Sequence, residues 1–432
     1  MKKNDIILEE NLELALTTGA APLKLPPKLL SIFPAFAHRN FQAYFVGQVI
    51  SVTGFWMHQV AMSWLVFELT HSVFWVGTVA AVGGIPFLIF TTFAGVFIDK
   101  ANKQKLLIYT QIAEAAIALI IGILTLTNTI TIPIILVLVF INGIVSSVDL
   151  PTRLTFILEM VGKRDLASAI PINNAIFNAA RFIGPAVAGI IIASFSVGWP
   201  FILNAISYIA GIWAILYIKP IFISKADMET HPLESLKQGI KFSLTHPKII
   251  NFIMLAFFSA IFIWPFQTLM PVVAEKVYAS GAQGFGTLLS AAGAGSLFGA
   301  IFTSANSKKE NKTPLIKFGL TISSLGLIFF SLNRDFIFAH VLLFITGFGL
   351  LMMVSTLNTL VQLNSPDVMR ARVMAVYITL FVGMMPVGNE IAGLIAHKTS
   401  AIFTIGLGGA AMLVVGLIFW VRGTFANLSK QE

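Results

Sequence analysis

The chain has 432 residues, of which 57% are hydrophobic and 11% charged, with a formal net charge of +9 and a mean hydropathy of +0.87. Soluble domains carry about 25% charged residues, so this composition excludes an ordinary soluble enzyme or nucleic-acid binder and indicates a membrane protein. The absence of cysteine excludes thiol catalysis, thiolate metal sites and disulfide scaffolding.

Residues 1–38 are polar at first and then proline-rich, with Pro22, Pro26, Pro27 and Pro34, and lack the short apolar core of a cleavable signal. They are expected to form a cytoplasmic N-terminal tail, with Leu23 to Phe36 either disordered or lying on the inner leaflet. Apolar stretches follow at 41–67, 73–98, 104–126, 130–149, 167–194, 198–218, 247–273, 279–303, 314–332, 335–361, 371–396 and 400–421. They are uninterrupted runs near the length that crosses a bilayer, about 20 residues, and not alternating segments of about ten. The prediction is an all-α membrane protein of twelve transmembrane helices. The polar interruption 220–246 is read as a cytoplasmic linker between two pseudo-symmetric six-helix halves, 39–219 and 247–422, with 423–432 as a short tail. That organisation is the one expected of a rocking transporter whose substrate site lies between the halves.

Of the 28 Lys and Arg residues, 24 fall in the tails and even-numbered loops, three (Lys276, Arg334, Lys398) on the opposite side, and Arg181 inside a span. The positive-inside rule therefore places both termini in the cytoplasm, and the net charge reflects topology, with attraction to anionic lipid second. No P-loop, zinc pattern or Ser/His/Asp set can be assembled, so neither ATP hydrolysis nor enzyme catalysis has support; no metal and no nucleic acid is expected.

Between spans 2 and 3 stands Gly95-Val-Phe-Ile-Asp99-Lys100-Ala-Asn102-Lys103-Gln-Lys105. Gly95 lets span 2 approach a neighbour closely, and Asp99 at the membrane edge can accept hydrogen bonds from a helix N-terminus or pair with a cation. Gly95, Asp99, Lys103, Asp149, Arg153, Arg370 and Arg372 are the candidate conformational latch. The second half keeps Gly299 and Lys308-Lys309 at the corresponding place, without the acid. Span 5 carries Arg181-Phe-Ile-Gly184-Pro185-Ala-Val-Ala-Gly189 and span 11 Gly383-Met-Met-Pro386-Val-Gly388-Asn389-Glu390-Ile-Ala-Gly393. Small residues at matching places predict close packing at Gly184, Gly189, Gly388 and Gly393, with a bend at Pro185 and at Pro386.

The loop motif resembles the signature Gly-x-x-x-Asp-Arg/Lys-x-Gly-Arg/Lys of the major facilitator superfamily, with Asn102 in place of its second glycine. Further stretches are similar to its enterobactin-exporter-like branch: Gly54-Phe-Trp56-Met-His-Gln59 in span 1, Asp149-Leu-Pro151-Thr-Arg153, Asn178-Ala-Ala-Arg181, Leu269-Met-Pro271 and Pro366-Asp367-x-x-Arg370-Ala-Arg372. The resemblance runs from about His38 to Arg422. It implies the major facilitator fold and a secondary transporter in the bacterial inner membrane, working by alternating access. Such a protein would export a siderophore or drug-like amphipathic molecule by proton antiport. No cofactor is implied beyond the proton gradient, and no partner beyond substrate and membrane lipid, with the protein a monomer. The alternative is a lysophospholipid transporter or flippase of the same fold, whose acyl chains a Phe-rich interior would suit.

A charge near the bilayer centre costs at least about 2.5 kcal/mol, so each needs a partner or a task. Glu114 in span 3 is either a proton carrier or the permanent ion-pair partner of Arg181 in span 5. Glu390 in span 11 is either protonatable or substrate-contacting, or else hydrogen-bonded to Asn389 or facing a periplasmic cavity. His58 in span 1 is either a proton relay or a packed polar residue. Asp149 and Arg153 are expected to bracket the inner end of span 4, within reach of water. Trp56, Gln59, Phe177, Asn178, Phe262, Trp264 and Gln267 are the candidate cavity residues, able to offer aromatic faces and hydrogen bonds to an amphipathic ligand.

Overall fold

A computed structural model describes residues 33–219, 232–306 and 311–421, apart from the side chains of 91–97, 99–100, 163, 232–236, 367–368 and 371. Among these residues the chain is helical, without a strand. Twelve helices are long and apolar enough to cross a membrane. In the first half they are span 1 Arg39–Thr70, span 2 Val73–Lys100, span 3 Lys103–Leu126, span 4 Ile132–Gly162, span 5 Arg164–Ser194 and span 6 Trp199–Tyr217. In the second they are span 7 Pro247–Lys276, span 8 Gly281–Ala305, span 9 Thr313–Leu332, span 10 Phe336–Leu363, span 11 Arg372–Lys398 and span 12 Ala401–Val421. The chain is a multi-pass membrane protein with the major facilitator fold.

Within each half small residues bring helices together. A Cβ at Gly47 of span 1 would lie 2.6 Å from Ala214 Cβ of span 6, and one at Gly319 of span 9 would lie 2.6 Å from the Gly349 carbonyl of span 10. In lipid no hydrophobic force distinguishes helix from solvent, so such close backbone approach supplies the association by dispersion. Between the halves the same device operates at one level, near the ends of the helices remote from the linker. Gly77 of span 2 faces Gly393 of span 11, and Gly84 packs on Pro386. Gly189 of span 5 faces Gly286 of span 8, where a Cβ would come within 3.0 Å of the glycine Cα. Ser290 Oγ donates to the Phe182 carbonyl at 2.6 Å across this seam, and Trp64 of span 1 stacks on Phe285 of span 8 at 5.9 Å.

Several sequence expectations are corrected here. Span 4 does not end near residue 149 but continues to Gly162, where one residue with φ 71° and ψ 173° turns the chain into span 5. Asp149 and Arg153, read as the end of the span, are inside the bundle and bonded to each other, and Glu159 is buried against Lys103. Span 5 remains helical through Pro185. Span 11 does break, between Phe381 and Met385 immediately before Pro386, and span 7 has a break between Phe262 and Phe266 at Pro265 that the sequence reading missed. Part of the linker is helical, Pro232–Thr245, and Arg372 Nη1 donates to its Gln238 Oε1 at 2.5 Å, seating it on span 11. The end of the N-terminal tail also docks: Pro34–Ala37 forms a 3-10 turn, Ala35 is buried, and Phe36 meets Phe45 edge-on at 5.0 Å. Residues 1–32, 220–231, Lys308-Lys309 and 422–432 lie outside the described residues, as do the side chains around Gly95 and Asp99.

Gly162 adopts a conformation that L residues with a Cβ rarely reach, at a cost of about 1–3 kcal/mol. Gly162→Ala should lower the detergent melting temperature by that stability. Gly83→Ala should not, because its helical Cβ would meet ordinary contacts at 3.6 Å. Thermal unfolding of the two purified variants beside the unmodified protein checks the contrast.

Candidate transport site

Spans 3 and 4 run side by side, and their facing positions one helical turn apart carry matched polar groups. Thr110 Oγ1 donates to Asp149 Oδ1 at 2.7 Å, and one turn along each helix Ser146 Oγ donates to Glu114 Oε1 at 3.0 Å. Tyr208 of span 6 is buried beside Glu114. Arg153, one turn beyond Asp149 on span 4, gives Nε and Nη2 to Asp149 Oδ2 at 3.0 and 2.5 Å and Nη1 to Gln48 Oε1 of span 1 at 2.6 Å. All three charged groups are buried. The i,i+4 spacing lets the ion pair form within one helix, so the guanidinium and a carboxylate neutralise each other before helices associate. Arg153 thus pairs with Asp149, while the bond given to Glu114 from span 4 comes from a hydroxyl and not from a cation.

Toward the linker end, Lys103 Nζ meets Glu159 Oε1 at 3.0 Å with both side chains buried, and His38 Nε2 meets Asp165 Oδ2 at 2.6 Å. Of the candidate latch, Lys103, Asp149 and Arg153 therefore bond within the first half. Arg372 bonds to the linker, and Arg370 Nε bonds the Gln362 carbonyl at 3.1 Å. Gly95 and Asp99 fall where the side chains lie outside the description.

The expected ion pair between Glu114 and Arg181 is not formed. Arg181 instead lies between two indoles, its Cζ 4.8 Å from the Trp56 ring centroid and 4.6 Å from that of Trp264. Trp56 belongs to span 1 and Trp264 to the break in span 7, so this cation–π stack crosses from one half to the other. Phe177 closes on Trp56 at 5.5 Å, and Phe381, at the break in span 11, closes on Trp264 at 5.9 Å. Gly184 is the platform for Trp56: a Cβ there would lie 2.5 Å from Trp56 Cβ.

The other candidates are dispersed. His58 Nδ1 lies 3.3 Å from Asn204 Nδ2 and edge-on to Phe201 at 4.9 Å, a packed polar residue near the interface of spans 1 and 6. Asn389 is not the partner of Glu390: its Oδ1 accepts from Thr268 Oγ1 at 3.0 Å, while Glu390 Oε2 is buried without a hydrogen bond. Asn178 turns back to the Asn174 carbonyl at 2.8 Å, Phe262 stacks on Phe258, Gly388 faces the Ala260 carbonyl, and Gln59 is exposed. Gln267 is half-buried. Among the described residues no group of three or more His, Asp or Glu is placed to hold a metal ion. Gln48, Glu159, Asn204 and Tyr208 were missed by the sequence reading. Asp149 and Arg153 at i,i+4 were the available signal that the span continued.

Removing one member of a buried ion pair leaves an uncompensated charge, at a cost of about 3–5 kcal/mol, whereas removing both is far milder. Glu159→Ala should therefore destabilise the protein strongly, and the double variant with Lys103→Met should recover most of the loss. A thermal-stability double-mutant cycle measures the coupling; additive losses would show that the pair contributes nothing.

Comparison with known proteins places this geometry in context. The profile of a family described as transmembrane secretion effector matches residues 30–428. The staphyloferrin A transporter of Staphylococcus aureus is 24% identical over 397 residues, which cover 90% of this chain and 98% of that protein. The enterobactin exporter EntS of Shigella flexneri is 24% identical over 394 residues, covering 90% and 93%. Among solved structures, the nucleoside transporter NupG superposes with a TM-score of 0.70 at 13% identity, over 91% of this chain and all of that one (100%). A POT family transporter in complex with a thioalcohol-conjugated peptide gives 0.72 at 11%, over 91% and 97%.

Proposed function

The chain belongs to the transmembrane secretion effector family, and from that membership we propose that it exports a small amphipathic molecule of the siderophore class by alternating access, driven by inward proton flow. The observation that carries the substrate reading is the similarity, along nine-tenths of this chain, to two siderophore transport proteins. The fold neighbours carry unrelated cargo and support the scaffold alone.

Two structural features support the mechanism. The distribution of positive charge, 24 of 28 Lys and Arg on the linker side, orients that side toward the cytoplasm of a bacterial inner membrane. In that orientation the seams Gly77–Gly393 and Gly189–Gly286 close the outer side, which supports reading the arrangement as inward-facing. Proton coupling is assigned to Glu114 with Asp149 and Arg153. Protonating Glu114 in the outward-facing state and releasing the proton inward requires a carboxylate whose charge is only partly balanced, and Asp149 takes both bonds from Arg153 Nε and Nη2. His58 and Glu390 are assigned no proton. The lipid-transporter alternative has no specific observation in its favour.

Glu114→Gln should retain substrate exchange down its gradient but lose accumulation driven by a pH gradient in inverted vesicles. Full pH-driven uptake by this variant would remove Glu114 from coupling. Because the chain lacks cysteine, Ser290→Cys gives a single label position within the outer seam. Adding Gly286→Leu should wedge the seam open and raise maleimide labelling from outside several-fold, as expected of a ligand-free shift toward the outward-facing state.

A further inference from the structure

We propose that Arg181, with the indole N–H groups of Trp56 and Trp264, forms a binding subsite for a planar oxyanion, a carboxylate group of the transported molecule, at the junction of the two halves. The proposal deepens the exporter reading and rests on it. Its ground is an arginine inside the bundle that has aromatic neighbours and no acid. Lys103, Arg153 and His38 each form an ion pair, and among the described residues none involves Arg181. The guanidinium carbon lies over two indole rings, those of Trp56 and Trp264, and the buried Nε makes no hydrogen bond. Both indole Nε1 atoms are likewise buried without a partner.

The geometry of a guanidinium explains why this points to an anion. Its π faces attract aromatic rings, whereas its five N–H groups all lie in the plane. When two rings occupy the faces, ligands can reach it only along the edge, and a carboxylate is the group that matches two parallel N–H bonds there. The rings keep the charge where a flexible side chain would otherwise swing to water, and they shape the surrounding site for an amphipathic body. Buried donors without a partner are costly, and Arg181 Nε and the two indole N–H groups, from spans 5, 1 and 7, are three such donors on side chains that touch one another.

Position gives the site its consequence. The Arg181 carbonyl is the point against which Gly293 of span 8 packs, and the neighbouring Phe182 carbonyl accepts from Ser290. Arg181 therefore lies at the edge of the closed seam, and Trp264 occupies the break of span 7. An anion held by donors from both halves would add hydrogen bonds to the cargo beside the cation–π contact between halves. Binding would then bear directly on the contact that holds the halves together.

The test uses the full-length protein in lipid nanodiscs, with citrate and 2,3-dihydroxybenzoate as carboxylate probes and benzamide as the uncharged control. Saturable changes in tryptophan fluorescence are expected with the carboxylates and not with benzamide. Arg181→Gln should weaken carboxylate binding by about tenfold or more, and Arg181→Lys, which keeps charge but loses the planar fork, should fall between. Trp264→Phe retains the ring stack and removes one N–H; it should fold normally and bind several-fold more weakly. It keeps the question answerable should Arg181→Gln misfold. Equal binding of benzamide, unchanged affinity in Arg181→Gln or Trp264→Phe, or no saturable response in folded unmodified protein would overturn the subsite. Siderophore export that survives Arg181→Gln undiminished would overturn it too while leaving the exporter reading intact. Carboxylate binding without siderophore export by the unmodified protein would instead count against the exporter reading and support the subsite.

Discussion

A charge taken into hydrocarbon must be neutralised by something the protein itself provides, and the interior of this bundle is organised around that requirement. Arg153 meets it with the carboxylate four residues earlier on its own helix and an amide from span 1. Lys103 meets it across two helices, with Glu159. Arg181 meets it differently, with the quadrupoles of two indoles and no opposite charge. An ion pair is self-sufficient, whereas an aromatic stack leaves the hydrogen-bonding edge of the cation unspent. The difference separates groups that stabilise the fold from one that can still bind.

The two halves repeat a fold but divide its duties. The first half holds the interlocked polar groups of spans 1, 3, 4 and 6, bonds that resist relative movement of those helices. The second half holds the two interrupted helices, spans 7 and 11, whose breaks lie beside each other through the contact of Trp264 with Phe381. Broken helices free backbone groups and concentrate bending at a few residues, tolerable where they border a site and not lipid. A stiff half opposed by a deformable one is consistent with rocking in which cargo is held at the boundary between them.

Much of this was legible in the sequence. Apolar length gave twelve spans, and Gly-Pro patterns in spans 5 and 11 marked surfaces that touch spans 8 and 2. The site was less legible, for identifiable reasons. Asp149 and Arg153 read as a helix end because polarity was taken as exposure, although i,i+4 opposite charges cancel inside a membrane helix. Arg181 and Glu114 were matched because each lacked a visible partner, and hydropathy does not record which face of a helix a residue occupies. Aromatic neutralisation of a cation leaves hardly any trace in a sequence with 38 Phe and 7 Trp. Pro265 broke its helix where Pro185 did not, a distinction made by tertiary packing and not by the residue type.

The one-residue turn at Gly162 has a mechanical meaning. A connection of one residue spans about 3.8 Å between neighbouring Cα atoms and contains no slack. Spans 4 and 5 therefore behave as two arms of a single lever with its fulcrum at Gly162. One arm carries Asp149 and Arg153, and the other carries Arg181 and Gly189. A tilt of span 4 when its charge balance changes is passed to span 5 without being absorbed by a loop, and it arrives at the residues that touch the opposite half. The stiffness of this link resides in the shortness of one turn.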